Sequence, residues 1–194
     1  MKTKQNPSGK LRAILCILTL ASAFGTAQAQ LYKNKADGGV ISFFSKAPLE
    51  DIEAVNKKVT VVMKTTTSDL QFGVTMLNFK FSKPLMEEHF NENYVESEKY
   101  PTCTFKGKIA ETIDYSKDGE YRVTAKGTMT LHGVSKEVEI PGMLTVKSGN
   151  ILLNAKFKLK VADYNIKVPS MYVQNIAEEV EITVNATLEP FEKK

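Results

Sequence analysis

The sequence predicts an all-β protein, an antiparallel barrel of about eight strands with one or two short helices. Two observations carry the strands. The first is strict two-residue alternation through the carboxy-terminal half: Tyr121, Val123, Ala125, Gly127, Met129 and Leu131 share one face, and Arg122, Thr124, Lys126, Thr128, Thr130 and His132 the other. One-sided alternation marks antiparallel strands with one buried and one wet face. The second is turn punctuation between such runs, at Asp118-Gly119, His132-Gly133 and Ser148-Gly149-Asn150. A third observation adds the helix: a single amphipathic segment, 84–94, interrupts the pattern.

Taken in order, residues 1–29 read as an export signal. Lys2, Lys4, Lys10 and Arg12 form a basic start, 13–24 is apolar, and Ala27-Gln28-Ala29 offers small residues for cleavage before Gln30. The apolar run falls short of the ~20 residues that span a bilayer. Cys16, flanked by Leu15 and Ile17, lacks the small residues of a lipoprotein site and leaves with the leader. The mature domain is then 30–194, and a periplasmic or secreted location is expected.

Strands are expected near 39–46, 57–65, 69–81 and 101–111, with a second small helix over 47–57 (APLEDIEAVNK). Within 69–81 the apolar face switches from Phe72, Val74 and Met76 to Leu77, Phe79 and Phe81, which predicts a β-bulge at Met76–Leu77. Pro84 suits the first position of the 84–94 helix, Glu87 and Glu88 sit near its positive end, and Met86, Phe90 and Tyr94 form a narrow apolar stripe. Such a helix belongs over a barrel opening, as a plug or as a lid. Three further strands follow the first, with inward sets Val138–Val146, Ile151–Val161 and Val180–Leu188 at every second residue. About eight strands make a barrel whose interior is filled by side chains or holds one small ligand.

Composition excludes several functions. The chain has 26 basic and 22 acidic residues. The leader takes four of the bases and no acid, so the mature domain is neutral and lacks the electrostatic footprint of a nucleic-acid binder. The one remaining cysteine, Cys103, forms no intramolecular disulfide, so stability must come from the core. With His89 and His132 the only histidines, there is no metal-ligand spacing, and no nucleophile elbow, phosphate loop or dinucleotide fingerprint occurs. No catalytic residue, metal or cofactor is expected. Lys156, Lys158 and Lys160 form a stripe opposite the acids Glu178, Glu179 and Glu181. Solvated cross-strand pairs account for both, and transient contact with a membrane surface is the alternative.

That leaves the interior. Met63, Phe72, Met76, Phe79, Phe90, Tyr94, Phe105, Met129, Leu131, Tyr164 and Met171 are the candidates for an apolar pocket, since barrel sites for small molecules are mostly apolar with few polar groups. Periodicity does not separate a pocket wall from ordinary core.

Two segments carry a resemblance. His89-Phe90, Tyr94, Tyr100-Pro101 and Phe105 form one, and Met129 to Lys136 (MTLHGVSK) the other. Together they resemble the YceI-like family, across roughly 38–190. Met86-Glu87 stands where that family often has an Arg-Asp pair, and the amino-terminal strands are short. The resemblance implies an extended, lipocalin-like barrel, periplasmic, holding a lipid or isoprenoid inside. Two rivals remain: a filled barrel serving structure or protein interaction with no small-molecule ligand, and an enzyme using His89 or His132 with a carboxylate. Oligomeric state is not readable.

Overall fold

The computed structural model describes residues 30–46, 51–167 and 179–191. The leader, Met171 and Glu178 lie outside the described residues. The strands are β1 (Leu31–Ser45), β2 (Ile52–Asn56), β3 (Val59–Lys64), β4 (Asp69–Thr75), β5 (Lys80–Phe81), β6 (Thr102–Ile109), β7 (Gly119–Leu131), β8 (Val134–Lys147), β9 (Asn150–Lys160) and β10 (Glu179–Pro190), with helix α1 (Pro84–His89) before β6. Neighbours run β10-β9-β8-β7-β6-β4-β3-β1, and β1 pairs back onto β10. Eight antiparallel strands therefore close a barrel, with β3 covering only Leu31–Lys33 of β1. β2 and β5 hang outside the ring as a short annex on the second half of β1.

The inward sets of β7 to β10 are those the alternation predicts. Outward, the lysine stripe of β9 is paired: Lys156 with Glu181 at 2.8 Å, and Lys158 with Glu179 at 3.5 Å. Such exposed pairs contribute little stability. They do give this face a bland explanation.

Two devices shape the ring. β1 advances five residues from Asn34 to Gly39 while β10 advances two, from Leu188 to Ala186. The buried Asn34 side chain repairs the ladder at this bulge. Its Nδ2 donates to the Val59 carbonyl at 2.7 Å, and its Oδ1 accepts from the Val61 amide at 2.6 Å. On the other side, Gly107 faces Gly127 across β6 and β7. A Cβ on Gly127 would stand 2.3 Å from the Lys106 carbonyl oxygen and 2.4 Å from the Gly107 Cα. Only glycine permits that approach.

Three expectations need correction. Residues 52–56, within the expected second helix, form strand β2, because Ile52–Asn56 finds the free edge of β1. The single strand 69–81 is two strands: after β4 the chain makes a 3-10 turn over Met76–Asn78, and β5 leaves the ring to pair with β2. The apolar face switches at a break, not at a bulge. Asp118-Gly119 is no hairpin turn; residues 110–118 form a longer connection, and Gly119 already opens β7. The two-residue turns fall instead at His132-Gly133 and Ser148-Gly149, all four residues at positive φ.

The two ends of the barrel differ. At the end bearing the β3–β4 and β8–β9 turns, Met63, Leu144, Ile151 and Leu188 are fully buried and fill the interior. The other end carries α1 and is hollow.

Candidate functional site

The hollow end holds an apolar cavity of about 370 Å³. Its wall is built by the alternating inner faces of the ring: Leu70, Phe72 and Val74 from β4, Cys103 and Phe105 from β6, Val123, Ala125, Met129 and Leu131 from β7, Phe157 and Leu159 from β9, and Val180, Ile182 and Val184 from β10. Its volume falls in the range of small-molecule pockets. It is also more than twice the ~150 Å³ at which an apolar cavity stays dry and takes an apolar guest.

The rim is aromatic. Phe43 of β1 packs on Phe79, Phe81 and Phe90 with ring centroids 5.6, 5.7 and 5.5 Å away, and Phe90 lies 5.1 Å from Phe81. Phe90 reaches this cluster because α1 continues into a π-helical turn over Phe90–Tyr94, where the Val95 amide donates to the Phe90 carbonyl at 3.0 Å. The wider turn keeps Met86, His89, Phe90 and Tyr94 all on the cavity side. Lys80 pairs with Glu87 and so ties α1 to β5. Hydrogen bonding from Lys80 is the main reason that the Glu87 carboxyl titrates below its ordinary value.

A polar clasp holds the segment that follows the helix. His132, at the β7–β8 turn, lies 2.8 Å from a Glu96 carboxylate oxygen through Nε2, and its Nδ1 lies 3.0 Å from the Tyr164 carbonyl. The Tyr100 ring packs edge-on to the imidazole at 4.4 Å. Gly133, at φ +73°, leaves room for Tyr100, since a Cβ there would stand 2.6 Å from its ring. The hydrogen bond with His132 is the largest cause of a lowered Glu96 pKa. This His–carboxylate pair holds two parts of the fold together, and His132 is not on the cavity wall.

The YceI-like domain family matches residues 32–188. The chain belongs to that family. Its fold is similar to a polyisoprenoid-binding domain from Saccharophagus degradans implicated in plant cell wall breakdown, with a TM-score of 0.70 at 14% identity over 82% of this chain and 98% of that one. It is similar to BcnA of Burkholderia cenocepacia, with a TM-score of 0.66 at 18% identity over 79% and 98%. A Campylobacter jejuni YceI protein aligns with a TM-score of 0.50 at 19% identity over 77% and 85%. No curated protein matches the chain by sequence.

Within this YceI-like barrel, Phe72, Met76, Phe79, Phe90, Tyr94, Phe105, Met129 and Leu131 line the cavity. Met63 and Tyr164 do not. Met63 sits in the filled end, and Tyr164 is buried behind the wall, where burial is the main cause of a raised phenol pKa. Met171 lies outside the described residues. Sequence reasoning missed Phe43 and Phe81. The signal for Phe43 was its shared face with Ile41, which also lines the cavity. The signal for Phe81 was the face it shares with Phe79, which also lines the cavity.

Cys103 lies on the wall, and burial pushes its thiol up to about 12. Among the described residues, no cluster of three or more His, Cys, Asp or Glu could hold a metal ion.

Proposed function

We propose that this protein is an exported, periplasmic binding protein that holds a lipid or isoprenoid-type ligand in the hollow end of its barrel, without catalysis. The observation that carries the reading is the cavity: roughly 370 Å³, walled by apolar side chains, beneath an aromatic rim. Burying each CH₂ of a chain contributes ~0.8 kcal/mol, so tight binding needs no specific polar contact. The filled-barrel alternative has Met63, Leu144, Ile151 and Leu188 in its favour at one end only. The polyisoprenoid-binding domain that shares the fold supports the ligand class. The basic and apolar character of residues 1–29 supports export. Transient contact with a membrane surface goes with this reading, and Leu77 and Leu85, exposed beside the cavity-lining Met76 and Met86, are where it would fall.

The test is mass spectrometry of an organic extract of the mature protein after expression with export. A stoichiometric lipid or isoprenoid supports the reading. An empty extract, together with no uptake of the apolar fluorophore diphenylhexatriene, overturns it. Phe90→Asp and Met129→Asp, if folded, should lose the fluorophore.

A further inference from the structure

We propose that His89 sets the ligand class: an apolar chain ending in one neutral hydrogen-bonding group, such as a hydroxyl, carbonyl or ester oxygen, and not a carboxylate or a diphosphate. This rests on the cavity being a binding site. No Lys, Arg, Asp or Glu is among the residues lining it. An ionised group drawn into this wall would lose its hydration with no counter-ion to replace it. Cys103 offers only a weak donor there. Ser45 and Tyr94 already have partners, Asn154 donates to Asn185, and Thr104 alternates with the inward Cys103 and Phe105.

His89 differs. It is half-buried on the last turn of α1, lines the cavity beside Phe90, and no hydrogen bond or ion pair joins it to another described residue. The two ring nitrogens of an imidazole are hydrogen-bonding groups that suit an alcohol or a carbonyl oxygen.

The rim argues further against an anion. Residues 80–99 carry five glutamates, Glu87, Glu88, Glu92, Glu96 and Glu98, against three lysines, Lys80, Lys83 and Lys99. Lys80 and His132 already engage Glu87 and Glu96. That excess of acid on the helix side of the mouth disfavours a carboxylate or phosphate there. The polar end therefore rests against His89, with the chain directed into the barrel.

Displacement of diphenylhexatriene by dodecanol, dodecane and dodecanoate at neutral pH tests this on the mature protein. Dodecanol should compete better than dodecanoate. One lost hydrogen bond changes affinity by about two- to tenfold. His89→Leu should weaken dodecanol relative to dodecane by that factor. His89→Gln, which keeps a donor and an acceptor, should restore much of the alcohol's affinity. Dodecanoate equal to or tighter than dodecanol overturns the proposal. So does His89→Leu acting equally on alcohol and hydrocarbon, or on neither. Failure of the wild type to bind the fluorophore removes the binding reading itself, which keeps the two failures apart.

Discussion

Two leucines on the same inner face should respond differently to the same truncation. Leu188, on β10, is fully buried in the filled end, opposite Asn34 on β1 and Ile151 on β9. Leu131, on β7, is 8% exposed and borders the cavity. Replacing either by alanine removes the same atoms and the same transfer free energy. At Leu188 a new void opens among side chains that are in contact all round. Such truncations cost about 3–5 kcal/mol, increasing with the void left behind. At Leu131 part of the side chain already faces empty space, so fewer dispersion contacts are lost. The lower end of the range, about 2–3 kcal/mol, is expected there. Urea unfolding of both variants, with an unchanged slope, measures the difference. In a domain of this size the Leu188→Ala loss corresponds to a fall of about 6–20 °C in Tm, at ~2–4 °C per kcal/mol. Fluorophore uptake is the second readout: Leu188→Ala should leave it intact, and Leu131→Ala should change it. Equal destabilisation of the two, or a larger loss at Leu131, would refute a barrel filled at one end and hollow at the other.

Three further outcomes are expected. Gly127→Ala forces a Cβ to 2.3 Å from the Lys106 carbonyl oxygen and should destabilise by about 1–3 kcal/mol in denaturant titration, with Gly107→Ala similar. Glu96 has a folded-state pKa below its ordinary 4.5, so its contribution is present above that value and disappears as the pH falls through the folded pKa. A Tm-versus-pH series should therefore show wild type above Glu96→Gln near neutrality, with the gap closing in acid; a gap that widens in acid contradicts the clasp. Cys103, with its thiol raised to about 12, should resist alkylation at pH 8 in the native protein and react promptly in guanidinium, as read by thiol titration.

The strands from β7 onward were legible because each buries one face cleanly, and the chain's own alternation records it. The amino-terminal third was harder to read. Residues 52–56 contain good helix formers, yet Ala54 and Asn56 are buried because the free edge of β1 overrides local preference. The break after Thr75 also depends on a distant partner, the Pro101 carbonyl that accepts from the Met76 amide at 2.9 Å. At the site, period two told which way a side chain points but not whether anything meets it there. Met63 and Leu131 carry the same inward signature, one packed and one beside a cavity. The two motif segments were visible as words, but their meeting was not. Tyr100, His132 and Gly133 come together only once β6, β7 and β8 are paired.

Closing the ring through β1 and β10 also orders events in time. β1 is the first strand of the ring to be made, and the partner that seals its outer side is the last. Until β10 arrives, β1 and β9 both present unpaired backbone, and loop-closure entropy makes this join the slowest pairing to find. The interval before it is when the chain is most open to pairing with a neighbour. A chaperone that shields nascent strands therefore matters more to this molecule during its synthesis than anything that acts on the sealed barrel.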